Sequence, residues 1–180
     1  MLMPILIAVA AVIVILVIVV AMQSSESRIS RSAAILAPPN IVFGQVNDFH
    51  NWQAWSPWAK MDPNAKNTYE GNPSGVGAIF TWSGNKKVGE GRMTLVESKP
   101  SDLIRLKLEF FKPFAATNSA DFTFEPQGDQ TLVTWTMLGH KNFILKAMCL
   151  VMDMDKMVGG DFEKGLAQMK TVSEAAAKGA

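Results

Sequence analysis

Three hydrophobic patterns follow one another along the chain, and each predicts a different kind of element. From Pro4 to Met22 there is no period at all. The run is apolar at every position, and no charged side chain occurs between Met1 and Ser25. A helix of about 20 residues, rising about 1.5 Å per residue, covers about 30 Å, the hydrocarbon thickness of a bilayer. Residues 1–23 are therefore expected to form a transmembrane anchor, with residues 24–27 as a linker. Two other readings compete. A cleaved signal peptide has a basic start and an apolar core of about 7–15 residues. Here the first residues carry no basic side chain and the run is longer, although Ala21-Met-Gln-Ser is a weak cleavage site. A buried core helix would need protein around its whole circumference. Arg28 and Arg31 follow the span, so positive-inside counting makes the protein single-pass with its domain in the cytoplasm.

After a first strand over Glu26 to Leu36, Pro38 and Pro39 suit the opening turn of a helix, where missing N–H groups cost nothing. That helix carries Ile41, Val42, Phe43 and Val46. A turn-rich aromatic stretch follows, in which Pro57 and Pro63 prevent a long helix. From Asn67 to Leu138 the period is two. Leu103 to Phe110 is the clearest case: Ile104, Leu106, Leu108 and Phe110 share one face, and Arg105, Lys107 and Glu109 the other. This is the mark of a half-buried antiparallel strand. The same alternation puts Phe80, Trp82, Met93, Phe122, Phe124, Trp135 and Met137 on inward faces. Turn residues at Ser83-Gly-Asn, Lys99-Pro-Ser-Asp and Gln127-Gly-Asp separate the strands.

Beyond His140 the spacing becomes helical. Asn142 to Met157 reads as helical, rich in methionine at Met148, Met152, Met154 and Met157. Val158, Phe162, Leu166 and Met169 then share a face. Gly159-Gly160 interrupts the pattern, because a glycine pair costs about 2 kcal/mol inside a helix, so either two helices meet there or one long helix bends. The tail from Thr171 is expected to fray, with 176–180 disordered. The order is strand, short helices, five or six antiparallel strands, then a long terminal helix. Only that helix is long enough to cover the apolar face of the sheet. The fold class expected is α+β, a curved antiparallel sheet around a long C-terminal helix, with the domain at 28–175.

Composition narrows the function. Lys and Arg total 17 against 16 Asp and Glu, so no basic stripe marks a nucleic-acid surface. One cysteine, Cys149, excludes an intrachain disulfide framework and any cysteine-based metal cluster. His50 and His140 are far apart, with no ligand spacing around them. The Gly89-Glu-Gly-Arg segment is too short for a phosphate loop and lies within a strand pattern. No metal or cofactor is expected.

The segment Ile35 to Trp58 carries a recognisable pattern: a strand ending in Ala37-Pro38, a helix with Val42, Phe43 and Val46, then Asp48, Trp52, Trp55, Pro57 and Trp58. It resembles the N-terminal signature of the START-like, or SRPBCC, superfamily: polyketide cyclases/dehydrases and lipid-transport proteins of the Bet v 1-like helix-grip fold. Gly75-Val-Gly, Gly89-Glu-Gly-Arg and Phe162-Glu-Lys-Gly-Leu look like the same family's strands and final helix, so the resemblance spans roughly Ser27 to Lys170. It implies the helix-grip architecture and a cavity between sheet and terminal helix. It does not imply one function, since the group includes lipid carriers, cyclases, hormone-binding proteins and co-chaperone-like modules.

The candidate lining of such a cavity is Phe80, Trp82, Met93, Leu106, Leu108, Phe110, Phe122, Phe124, Trp135 and Met137 on the sheet, with Met148 and Met152 on the helical side. Taken singly, each is better explained as core. Trp52 and Trp55 read as structural wedges; Trp58 is open to either role. Catalytic support is thin. Asp48 and His50 do not make a triad, and Glu90 and Arg92 point outward as a solvated pair. The expected function is a membrane-anchored domain binding a small apolar or amphipathic ligand, a lipid among them. A cyclase/dehydratase and a non-catalytic protein-interaction module are the alternatives.

Overall fold

Neighbours in the chain pair as neighbours in the sheet. In the computed structural model, which describes residues 2–179, the strands are β1 (Glu26–Ile35), β2 (Lys66–Gly71), β3 (Ala78–Ser83), β4 (Glu90–Lys99), β5 (Leu103–Lys112), β6 (Ala116–Gln127) and β7 (Gln130–His140). They form one antiparallel sheet in the order β1-β7-β6-β5-β4-β3-β2. β2 to β7 is a meander, and β1 closes onto β7 from Glu26↔His140 to Ile35↔Thr131.

The helices are α1 (Leu2–Met22), α2 (Pro39–Asn47), α3 (Trp52–Trp55), α4 (Phe143–Met148) and α5 (Met154–Lys178). Single 3₁₀ turns at Phe49–Asn51 and Pro57–Lys60 flank α3. α1 is long and apolar enough to cross a membrane. Its far end touches α4, where Val20 is the one buried residue among those described in the helix. α5 packs chiefly on β1 and along α2 and α3. This is the helix-grip arrangement that the family resemblance implied.

The period of two has its expected consequence. Met93, Leu95, Ile104, Leu106, Phe122, Phe124, Val133 and Trp135 are buried on the concave face. Each such side chain contributes about 1.5–3 kcal/mol of burial. The convex face carries cross-strand charge ladders. Arg92 lies opposite Glu109 at 2.7 Å, and Lys107 reaches the same carboxylate at 2.8 Å. Arg105 bridges Glu97 and Asp121 at 2.7 and 3.0 Å.

The terminal helices differ from the sequence expectation in three places. Asn142 to Met157 is not helical throughout, since a break separates α4 from α5. α4 starts on Asn142, whose side chain accepts from Leu145 N at 2.9 Å, and ends at Met148. α5 starts afresh on Asp153, whose side chain accepts from Lys156 N at 2.9 Å. Gly159-Gly160 does not interrupt α5, because packing of that helix on β1 outweighs the propensity penalty of two glycines. Nor does the helix fray at Thr171. It continues to Lys178, with Val172 and Ala177 against the core and Ser173 buried.

The register gives the sheet two distinct ends. Glu26↔His140, Gly139↔Asn118, Asn118↔Leu108, Leu108↔Met93 and Met93↔Phe80 mark a level just below the end at which α1 joins β1. Beyond that level lie the connections 84–89 and 113–115 and α4, while the first turn of α5 meets β1 at Arg31. The opposite end holds the turns at 100–102 and 128–129 and the last turns of α5, where Leu36 N donates to Glu174 at 2.9 Å.

Candidate functional site

The concave face is sealed at the end away from α1. Trp135 of β7 stacks on Phe162 of α5, with ring centroids 4.0 Å apart and planes 5° from parallel. Phe122 stacks on the other side of Trp135 at 4.8 Å. Trp52 and Trp55 meet this pair edge-on at 5.7–6.3 Å. Their indole N–H groups donate to the last carbonyls of α2, Trp52 to Val46 O at 3.0 Å and Trp55 to Gln45 O at 2.9 Å. These two tryptophans therefore terminate one helix and fill the core beneath it, which is a structural role. Trp58 is half-buried and packs edge-on against both Trp135 and Phe162. The Trp135 indole N–H and the Ser173 hydroxyl are buried without a hydrogen-bond partner among the described residues.

The end nearer α1 is different. There Phe80 and Trp82 of β3, Leu108 and Phe110 of β5 and Met137 of β7 are only half-buried. The main contacts of α5 are with β1 at the sheet edge. Trp82 lies 6.1 Å from Phe80 and 6.0 Å from Phe110, so the three rings form one continuous apolar surface. Two glycines shape it. A Cβ on Gly91 would overlap the Trp82 indole, and one on Gly139 would overlap the Asn118 side chain. Gly91 thus lets the indole lie across β4, where Trp82 Nε1 donates to Val88 O at 3.2 Å. Asn118 is the polar residue of this surface, its amide donating weakly to Met137 Sδ at 3.7 Å.

Beside Met137, its register partner Ile29 of β1 belongs to the wall of a cleft of about 640 Å³. The cleft lies between the start of β1 and the connection from α4 to α5. Leu150, Val151, Met152 and Met154 supply apolar lining, and Glu26, Arg28, Lys141 and Asp153 supply charge. A second cleft of about 200 Å³ lies between Phe49, His50 and Tyr69 at the β2 edge. In it Asp48 caps the 3₁₀ turn and also holds His50 Nδ1 at 2.7 Å, while His50 stacks on Tyr69 at 4.2 Å. The contact between Asp48 and His50 is one that helical spacing does not anticipate. It comes from the turn itself.

The twelve residues that the sequence points to as cavity lining divide accordingly. Met93, Leu106, Phe122, Phe124 and Trp135 lie in the packed core, none more than 7% exposed. Phe80, Trp82, Leu108, Phe110 and Met137 make the half-open surface. Met148 is half-buried in α4, and Met152 is exposed and lines the larger cleft.

One charged cluster at the site falls outside that set. Arg31 occupies an inward position of β1, in the alternation Ile29, Arg31, Ala33, Ile35. Its guanidinium crosses to α5 and pairs with Asp155 at 2.8 Å and Glu163 at 2.7 Å. It also donates to the Asp155 carbonyl at 3.1 Å. These hydrogen bonds raise the Arg31 pKa further above its usual range and hold Asp155 below the usual carboxylate range. The signal in the sequence is an arginine at an apolar parity position. On the convex face, Lys99 beside Glu97, Lys107 beside Glu109 and Lys112 beside Glu90 likewise lower those carboxyl pKa values. Among the described residues, no group of three His, Cys, Asp or Glu side chains is placed to hold a metal ion.

Comparison with known proteins agrees with this geometry. The family described as polyketide cyclase / dehydrase and lipid transport matches residues 26–174. No match is found among curated proteins. Solved structures similar in fold include a protein from Chromobacterium violaceum, 14% identical, with a TM-score of 0.58 over 84% of this chain and 99% of that one. The di-domain ARO/CYC StfQ of the steffimycin biosynthetic pathway is 11% identical, with a TM-score of 0.61 over 85% of this chain and 52% of that one. Ara h 8.0201 is 10% identical, with a TM-score of 0.55 over 86% of this chain and 99% of that one.

Proposed function

The chain belongs to the polyketide cyclase/dehydrase and lipid-transport family, and from that premise we propose that it is a membrane-tethered domain that binds a small apolar or amphipathic ligand. α1 is the tether, with the domain on the cytoplasmic side. The ligand lies at the α1 end of the concave face, against Phe80, Trp82, Leu108, Phe110 and Met137. One observation carries this reading: the same sheet face is filled with stacked aromatics at one end and left apolar and half-exposed at the other. Phe80, Trp82, Leu108 and Met137 pack against the core, yet they and Phe110 keep part of their apolar surface open to solvent. The neighbouring cleft, with both apolar and charged lining, suits a molecule with an apolar body and a polar head.

A tether would hold the site close to a source of membrane-soluble ligand and raise its effective concentration. The test is organic extraction of the full chain purified in mild detergent, followed by mass spectrometry. A stoichiometric apolar species that is lost on Leu108→Arg supports the reading. Protein that stays empty, and shows no shift on adding fatty acids or aromatic compounds, counts against it.

A further inference from the structure

The α1 end of the domain carries apolar side chains that no other described part of the chain covers. Phe143 and Ile144 lie on α4, Leu150 and Val151 on its connection to α5, and Phe111 and Phe114 on the β5–β6 hairpin. All six are between 44% and 85% exposed. Sheet register places them together. His140, just before α4, pairs with Glu26, the first residue after the connector from α1. Phe110, the neighbour of Phe111, pairs with Ala116 beyond the level of the Asn118–Gly139 pair. Lys141 N donates to Ser25 O at 2.7 Å, which ties the start of the α4 segment to the foot of α1.

We infer that this end of the domain is a membrane-contacting face, embedded in the headgroup region of the bilayer that α1 crosses. The inference rests on the tether reading above. Continuity with α1 selects this occupant over a soluble partner. α1 touches α4 and reaches β1 through only three residues, so a bilayer spanned by α1 begins where these side chains lie. The charge nearby fits as well. Lys86 and Lys87 of the β3–β4 connection are exposed, Lys141 precedes α4 and Lys146 lies in its last turn, in keeping with basic residues that meet anionic headgroups around an apolar insert. The open apolar part of the concave face lies at the same end. A ligand would therefore pass between bilayer and site without crossing water.

The test uses the full chain reconstituted into phosphatidylcholine vesicles containing phosphatidylglycerol. An environment-sensitive fluorophore is placed by Val151→Cys in a Cys149→Ser background, with Asp129→Cys at the opposite end as the reference. The expected result is flotation with the vesicles, a blue-shifted emission at position 151 that lipids with shallow nitroxide labels quench, and water-like, unquenched emission at 129. Flotation with water-like emission at 151 would overturn the face and leave the tether standing. Failure to float would overturn the tether, and the face with it. A blue shift that no nitroxide lipid quenches, and that grows with protein concentration, would assign the surface to a second copy of the chain and overturn the proposal.

Discussion

The guanidinium of Arg31 occupies the space that a Cβ on Gly159 would need. That overlap explains why α5 carries a glycine at this turn: Arg31 reaches across the helix backbone to Asp155 on one side and Glu163 on the other. Gly160, one residue on, meets nothing within 4 Å. The two glycines should therefore respond differently to alanine. Gly160→Ala should stabilise by about 0.5–1 kcal/mol, the ordinary gain in helix propensity. Gly159→Ala should gain less than this or lose stability, since it pushes the flexible end of Arg31 off partly exposed partners whose pairing is worth about 0–1 kcal/mol. Thermal unfolding of both variants by circular dichroism checks this, and equal effects would mean that the clamp contributes nothing.

Gly91 poses the same question on the sheet. A Cβ there meets both the Trp82 ring and the Glu109 carbonyl. Gly91→Ala should cost about 1–3 kcal/mol and turn Trp82 off β4. A changed Trp82 emission relative to a Trp82→Phe background would register the movement. A normal melting temperature with unchanged emission would show that the strand tolerates the methyl group.

Leu106 and Leu108 are adjacent inward positions of β5 with different surroundings. Leu106 is fully buried and Leu108 is half-exposed. Leu106→Ala should cost about 2–5 kcal/mol by leaving a cavity. Leu108→Ala should cost clearly less and instead weaken ligand binding. Denaturant unfolding paired with a binding titration separates the two effects.

Stability should fall in acid. Glu90, Glu97, Glu109 and Asp155 have pKa values lowered by hydrogen bonds to Lys112, Lys99, Lys107 and Arg31 respectively. A carboxyl whose folded pKa lies below its unfolded value contributes fully above the unfolded value and loses that contribution as pH falls through the folded one. The loss should therefore begin near the usual carboxylate range of about 4 and continue below it. Because these pairs are partly exposed, the effect should shrink in high salt. Melting curves from pH 6 to about 2.5, with and without added salt, measure it.

Most of the fold was legible in the chain. Strict alternation from Leu103 to Phe110 identified both the strand and its buried face, and Pro38-Pro39 marked the start of α2. The terminal helices were less so. Gly159-Gly160 drew attention as a break, whereas the break lies at 149–153, where Asp153 starts a new helix by capping Lys156 N. Local propensity could not reveal that Gly159 answers to a side chain 128 positions earlier. The candidate site was legible only in part. Period two picks out every inward residue of a strand, but not which of them α5 covers. Trp135 and Met137 share a strand and a face, yet Trp135 is sealed under Phe162 and Met137 is not.

The central claim is that the α1 end of the concave face holds the ligand, and quenching of tryptophan fluorescence by a brominated fatty acid tests it most directly. The full chain should show saturable quenching, largely lost in Trp82→Phe and retained in Trp55→Phe, whose ring lies in the sealed core. Quenching that is absent, never saturates, or is unaffected by Trp82→Phe would contradict the account.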